Sequence, residues 1–460
     1  MSMIWKLKKG ADRRPRAGHP WVYTHELAQV PRGFPPGSPV ELQDDQGRFV
    51  ARGYGNPNSV IAFRALSFDP KEWTPWARAT LQARILDAWK SRAILGYRAS
   101  FRLVFSEGDR LPGLIIDRYV GEQNGERIQV LATQILTAGM NKALGEVETF
   151  FQELIKEALA NHLTEIPWEQ TAIVLRNDVR ARSLEGLQEE PSRFVKSVRG
   201  ADFTDFPIRL NAALDAGEVE MNCDLFQGQK TGFFLDQTAN IQGVARILGE
   251  HPFLPKDRPV RILDLCCYVG HWSAQLARVC QGRGLSVETT LVDASERALF
   301  FAARNAERQG AVVRVLQGDV MKVLASLNEK FDVVIADPPA FVKAKKDIPL
   351  GRHAYLKINT QAFRLAEENG LVVSCSCSGL FVEDDFREVL AKSLRRNFRE
   401  ARCILRGGPA PDHPGRMSFP DGMYLKMFTH LVGAQGTGVV PLGDEADPVG
   451  VGAGDEDGEP

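Results

Sequence analysis

From Arg261 onward the chain alternates short apolar, β-branched runs with amphipathic stretches of helical period, a pattern that few folds can absorb. The runs are RILDLCC (261–267), SVETTLVDA (286–294), VVRVLQGD (312–319), KFDVVIADPP (330–339) and GLVVSCSC (370–377). Four predicted helices separate them: WSAQLARVC, SERALFFAARNAERQ, KVLASLN and INTQAFRLAEEN. Ser295 stands where its helix needs an N-cap, and Gly310 lies just past that helix's end. Such alternation requires a mostly parallel sheet covered on both faces, because parallel strands are joined by helical crossovers. The fold class is therefore α/β and Rossmann-like, with the ligand crevice outside the carboxyl ends of the strands. Asp264, Asp293, Asp319 and Asp337 all fall at or near such ends, so residues 201–432 are read as the catalytic domain.

At roughly 150 residues per domain, a chain of 460 residues has room for about three domains. Residues 1–75 hold alternating runs punctuated by Gly and Pro, SPVELQD and RFVARGYG among them, which predicts a small β-barrel. Lys6, Lys8, Lys9, Arg13, Arg14 and Arg16 lie near His19, Trp21 and Tyr23, a mixture suited to a phosphate backbone and stacked bases. A solvated basic terminus with Trp21 in a core accounts for the same residues. Residues 76–200 read as a small α+β domain, with one long amphipathic helix over 139–163. Residues 433–460 carry seven acidic and no basic residues and eight glycines, a disordered acidic tail by composition. Without it the chain has 57 basic against 51 acidic residues, a mild excess that permits nucleic-acid contact through local patches.

Several classes drop out. The seven cysteines are an odd number without C-x-x-C spacing, and the eight histidines do not cluster with them. Neither a disulfide framework nor a metal site is expected. The basic N-terminus lacks a following apolar segment, and no run approaches the roughly 18–20 residues that cross a bilayer. A cytoplasmic protein without membrane partners is expected.

The first strand of the α/β segment runs into DLCCYVGHWS, where Gly270 stands alone in place of a G-x-G-x-x-G turn. A cofactor without phosphates needs no such cradle, which points to S-adenosylmethionine. Asp293, 23 residues after Gly270, is placed to accept from both ribose hydroxyls. Asp319 is placed to approach the adenine, or else caps the next helix. Asp337-Pro338-Pro339-Ala340-Phe341 makes a rigid loop over the crevice, since proline fixes φ and removes a donor. Its carboxylate can bond a planar base while Phe341 stacks on the face, although Phe341 could equally lie in the core. The fifth strand brings Cys375 and Cys377 to the same edge. Methylating carbon 5 of cytosine requires a nucleophile to add first at carbon 6, and cysteine suits both attack and departure. Period-2 alternation puts both cysteines on one face, so spacing does not choose between them.

KTGFFLDQ (230–237), the DLCCYVG turn, VDAS, DPPAFV, YLKIN (355–359), SCSGL (376–380), PDHP and a late YLK follow one another in a telling order. That order resembles the RlmI-type 23S rRNA cytosine-C5 methyltransferases, bacterial enzymes of class I Rossmann-like fold. GHPWV resembles that family's N-terminal PUA domain, and LPGLIIDRY with LRNDVRARSLEGL its central domain. The resemblance implies an S-adenosyl-L-methionine cofactor and a ribosomal RNA partner, and a homodimer is compatible with it. It implies Cys377 as nucleophile, Asp337 as the acidic residue of the base-binding motif, and Pro338, Pro339 and Phe341 as substrate contacts. Lys230, Thr231, Gly232, Asp264, Tyr268, Gly270, Asp293 and Asp319 match cofactor positions. The chain departs from the family pattern at three places: DQTANI lacks an arginine after LDQ, His271 and Trp272 crowd the glycine turn, and SEGDRLPG replaces an ESD-type string. A nitrogen methyltransferase, such as a guanine-N7 enzyme, and a non-catalytic RNA-binding assembly factor are the competing classes.

Overall fold

The structure, a computed structural model, describes residues 3–29, 33–214 and 217–436. The N-terminal unit comprises β1 (Met3–Lys6), α1 (Arg13–Arg16), β2 (Trp21–Val22), β3 (Ser38–Gln43), β4 (Phe49–Gly55) and β5 (Phe63–Ser67). Its sheet order is β1-β3-β4-β5-β2, parallel only between β1 and β3. Trp5 fills its core against Phe34, the ring centroids 5.0 Å apart. Trp21 does not belong to that core. Its indole N–H donates to Glu107 (2.7 Å) and its ring meets Phe419 edge-on at 4.7 Å, so it joins all three units.

The central unit contains α2 (Arg78–Ile94), β6 (Phe101–Phe105), β7 (Leu114–Gln123), β8 (Glu126–Ile135), α3 (Ala138–Leu144), α4 (Val147–Ala160), β9 (Thr171–Leu175) and β10 (Arg193–Lys196). The single long helix expected over 139–163 is two helices, because Gly145 adopts φ +59° between them. The sheet extends beyond residue 200: β11 (Phe206–Asn211) and β12 (Glu218–Cys223) add to β7, giving the order β10-β9-β8-β7-β11-β12 with β6 also on β7. Residues 206–223, assigned to the catalytic domain from sequence, thus finish the central sheet. Their alternating burial packs Phe206, Ile208 and Leu210 into its core.

The third unit follows with α5 (Thr238–Glu250), β13 (Val260–Leu265), α6 (His271–Gly282), β14 (Val287–Asp293), α7 (Glu296–Arg308), β15 (Val312–Gln317), α8 (Val320–Ser326) and β16 (Phe331–Ala336). It closes with α9 (Ile348–Leu365), β17 (Ala366–Ser376), α10 (Glu383–Arg396), β18 (Arg399–Gly407) and β19 (Lys426–Gln435). The order is β15-β14-β13-β16-β17-β19-β18, parallel through β17, with β19 antiparallel between β17 and β18. Ser295 caps α7 by accepting from Ala298 N–H, as its position in the sequence indicated. The run AEEN, read as helix, opens β17 instead, since α9 stops at Leu365. β19 reaches Gln435, so the segment read as a disordered tail from 433 begins inside a strand, and 437–460 lies outside the described residues. Among the described residues no helix is long and apolar enough to cross a membrane.

A buried ion pair fastens the central sheet to the third unit. Arg102 holds Asp117 through two hydrogen bonds of 2.8 and 2.7 Å, and Asp117 also accepts from the Thr231 hydroxyl. The Arg102 backbone N–H donates to Asp412 at 2.9 Å. Removing one member of such a pair leaves an uncompensated buried charge, at a cost of about 3–5 kcal/mol. Asp117→Ala is expected to lose that much in urea denaturation of the full chain. The double replacement Arg102→Met, Asp117→Leu is expected to lose clearly less.

Candidate active site

A cavity of about 370 Å³ opens at the carboxyl ends of β13, β14 and β16. Its walls are the 229–237 segment, the turn 266–272, the loop from Asp337 to Phe341, Cys377 and Leu425. Nine residues singled out from sequence line it: Lys230, Tyr268, Asp293, Asp319, Asp337, Pro338, Pro339, Phe341 and Cys377. Thr231, Gly232, Asp264 and Gly270 stand behind the wall and shape it.

The turn after β13 is strained, with φ of +62° at Cys266, +48° at Tyr268 and +77° at Gly270. Left-handed backbone at non-glycine residues costs of order 1–3 kcal/mol each, so the surroundings must impose it. Tyr268 N–H donates to Asp293 (3.0 Å), while its hydroxyl donates to Gly232 O (3.0 Å) and accepts from Gln229 N–H (3.0 Å). A Cβ on Gly270 would lie 2.9 Å from Ala302 Cα, so glycine there lets α6 approach α7. Thr231 is fully buried between Asp117 and the Tyr119 hydroxyl (3.0 Å) and does not face the cavity. Its segment carries the wall on the central sheet.

The aspartates divide. Asp293 accepts from Tyr268 and Ser295 N–H, and Asp319 accepts from Met321 and Lys322 N–H at the start of α8. Asp319 therefore caps a helix and lines the cavity at once. Asp264 is fully buried, one oxygen accepting from Ser273 (2.7 Å) and the other without a partner. Burial raises its carboxyl to about 7. Asp337 accepts from the Trp272 indole (3.1 Å) and the Gln237 amide (2.9 Å) at the same oxygen, which leaves the other free of both. Burial, with the charge of Asp236 behind it, pushes Asp337 up to about 6. Asp236 is buried too, but Lys230, His413 and the Tyr424 hydroxyl (2.5 Å) outweigh its burial and hold its carboxyl below the usual range.

The two cysteines separate where β17 ends. Cys375 sits in the sheet with no exposed surface, packed in the core of Ile262, Val333 and Met427. Cys377, one residue past the last strand position, lines the cavity with its Sγ 3.9 Å from Pro338 O. Burial and Asp337 push the Cys377 thiol up to about 11, against the pull of Lys230. Phe341 lines the cavity and packs edge-on against Tyr355 at 4.8 Å.

Trp272 and Gln237, which orient Asp337, were not assigned roles from sequence, and neither were Asp236, Tyr424 and Lys426. The unusual DQTANI string carried a usable signal, since Asn240 donates to the side-chain oxygen of Gln237 (2.6 Å) and fixes its amide toward Asp337. SEGDRLPG likewise has a structural use: Glu107 receives Trp21 and Arg64, and Asp109 receives Arg92.

A cavity of about 370 Å³ lies within the roughly 300–1,000 Å³ of small-molecule sites. Aromatic Phe234 and Tyr268 line it together with Asp236, Asp293, Asp319 and Asp337, and Lys230 is half-exposed and paired with Asp236 at 3.5 Å. This donor set suits a cationic, adenine-bearing ligand without phosphates. Fold and site together define the class of S-adenosylmethionine-dependent methyltransferases. Residues 6–68 match the family described as PUA-like domain, and residues 256–410 the one described as Methyltransferase domain. Ribosomal RNA large subunit methyltransferase I of Photobacterium profundum is 30% identical over 444 residues, 93% of this chain and 98% of that protein. Its counterpart in Aeromonas hydrophila is 31% identical over 435 residues, with the same coverage. The crystal structure of SMU.776 complexed with SAH matches the fold with a TM-score of 0.69 at 17% identity, covering 93% of this chain and 99% of that one. The chain belongs to the ribosomal RNA large subunit methyltransferase I family.

The Asp264 carboxyl titrates near 4 when unfolded and about 7 when folded, so the folded state holds its proton longer. Stability from this group is therefore present below about pH 4 and lost as pH rises to about 7. Asp264→Asn, neutral throughout, is expected to be more stable than wild type at pH 8, by up to about 4 kcal/mol. The advantage should vanish near pH 4. Parallel thermal melts at the two pH values check this, and an equal offset at both would remove ionisation as the cause.

Proposed function

We propose that the protein methylates carbon 5 of a cytosine in large-subunit (23S) ribosomal RNA, using S-adenosylmethionine and a covalent adduct between Cys377 and carbon 6. One observation carries the reading: the cavity-facing cysteine at the end of β17 shares a wall with the Asp337-Pro338-Pro339 loop, while Cys375 is sealed in the core. Nitrogen methylation needs no thiol at that place. The name shared by the relatives supports the choice of RNA, and the PUA-like module is in keeping with it.

When bound, S-adenosylmethionine supplies an electrophilic methyl on a sulfonium, and Asp293, Asp319, Tyr268 and Lys230 are the residues that would hold it. The target base leaves its stack and enters beside Phe341, whose ring covers one face. Cys377 thiolate forms the Sγ–C6 bond, and the electron pair of the C5–C6 double bond moves into the ring toward N3. Asp337, with a carboxyl near 6 and one oxygen not engaged by Trp272 or Gln237, donates the proton that N3 takes up. Carbon 5 is then nucleophilic and accepts the methyl group. Solvent water takes the C5 proton, which restores the C5–C6 double bond and expels Cys377 as thiolate, and the N3 proton returns to the Asp337 carboxylate.

Nucleoside mass spectrometry after incubating unmodified 23S rRNA with the protein and S-adenosylmethionine tests this. 5-Methylcytidine is expected with wild type and with Cys375→Ala. Cys377→Ala should lower its formation by at least about 10³-fold. A methylated guanosine in its place, or a fully active Cys377→Ala, would overturn the chemistry.

A further inference from the structure

Cys377 lies where the sheet ladder no longer holds the chain. β17 ends at Ser376, which pairs with Lys426 on the neighbouring β19, and the turn from Cys377 to Phe381 leaves the sheet. The Lys426 ammonium reaches across under this turn and donates to Ser378 O (2.6 Å) and Phe381 O (2.7 Å). Lys426 is 7% exposed, and both of these partners are neutral carbonyls. A buried cation is costly, and an apolar side chain would fill the same space without that cost. The other side of the turn is also pinned. The Ser378 hydroxyl accepts from Val342 N–H (3.1 Å) and bonds the Tyr355 hydroxyl (2.9 Å).

We infer that Lys426 is a positioning residue: it holds the 377–381 turn so that Cys377 faces the cavity, and it keeps a buried positive charge beside the thiolate. The inference rests on the reading of Cys377 as nucleophile. The ionisable groups around the thiol come from four places. Asp337 follows β16, Asp236 and Lys230 belong to the 229–237 segment, Tyr355 lies on α9, and Tyr424 and Lys426 lie at the start of β19. The two carboxylates oppose a thiolate. Lys230 is half-exposed and already shares its charge with Asp236, so solvent screens it. Lys426 is screened far less. Burial draws its ammonium down to about 8, and a Cys377 thiolate pulls in the opposite direction.

The test measures iodoacetamide alkylation of Cys377 in the full-length protein by peptide mass spectrometry, alongside methyl-transfer kinetics. Lys426→Met is expected to slow alkylation at pH 7.0, where the wild-type ammonium carries its charge, at least tenfold and to lower kcat with it. The KM for S-adenosylmethionine should stay within twofold. Lys426→Arg, which keeps the charge, should recover most of both. Lys426→Gln, which can still donate to a carbonyl, is the fallback if the methionine variant does not fold, and it should also alkylate slowly. Wild-type alkylation and kcat in Lys426→Met or Lys426→Gln would overturn the inference. So would equal losses in all three variants together with lost S-adenosylmethionine binding, the mark of a merely structural lysine. If Cys377→Ala still methylates while Lys426→Met slows alkylation, the nucleophile reading fails and the positioning of the thiol by Lys426 stands.

Discussion

The buried Arg102–Asp117 pair ties the outer walls of the cavity to the central sheet. Two stretches of the third unit form walls that its own sheet does not fix, the 229–237 segment and the approach to β19. Both are tied to the central sheet. Asp117 receives the Thr231 hydroxyl, the Arg102 backbone donates to Asp412, and Arg92 donates to Asp109 and to Asp412 O. In a water-poor interior each of these charge-assisted bonds is stronger than at the surface, and each is expensive to leave unmade. The doubly wound sheet supplies the strand ends, and the central unit closes the crevice over them.

Around that crevice, acidic groups of the same type are driven apart by their neighbours. Asp236 is buried and Asp337 half-buried, yet Asp236 is met by Lys230, His413 and Tyr424, and Asp337 by two neutral N–H donors. The first stays charged across the working pH range, and the second is able to hold and release a proton near 6. Pairs of carboxyls so divided are a usual mark of acid–base work. Trp272 and Gln237 also set the direction of Asp337 by occupying one oxygen, and Asn240 fixes Gln237 in turn.

What could be read beforehand followed the range of the interactions. The aspartates at strand ends were legible because period, turn residues and caps are local, and Ser295 capping α7 is of the same kind. The membership of β11 and β12 was not legible. A strand's partner is chosen by packing across the fold, and nothing in residues 206–223 names β7. The single helix expected over 139–163 failed at Gly145, whose φ of +59° ends α3, and an isolated glycine inside a helical pattern leaves that outcome open. Cys375 and Cys377 could not be told apart by alternation, because the answer lay in where β17 stops, one residue short of Cys377. Lys426 stood in the late YLK string, but its role was not legible for a related reason: its partners are backbone carbonyls, which leave no trace in side-chain spacing.

The position of the N-terminal unit follows from the same economy of contacts. Trp21 donates to Glu107 of the central unit and packs on Phe419 of the third, and His19 meets the same Phe419 ring at 5.4 Å. Phe419 belongs to the stretch that begins at Asp412, held by Arg102 and Arg92, and ends at Tyr424, Leu425 and Lys426 on the cavity wall. One continuous segment therefore starts on the central unit, touches the PUA-like module midway and ends under the thiol's turn. Two of the three aromatic residues that looked suited to stacking bases, His19 and Trp21, are spent on fixing this geometry, whereas Tyr23 stacks on His25 within the module. Beside them Arg13 stays exposed, while the half-exposed Arg14 is held by the Glu26 carboxylate at 2.9 Å.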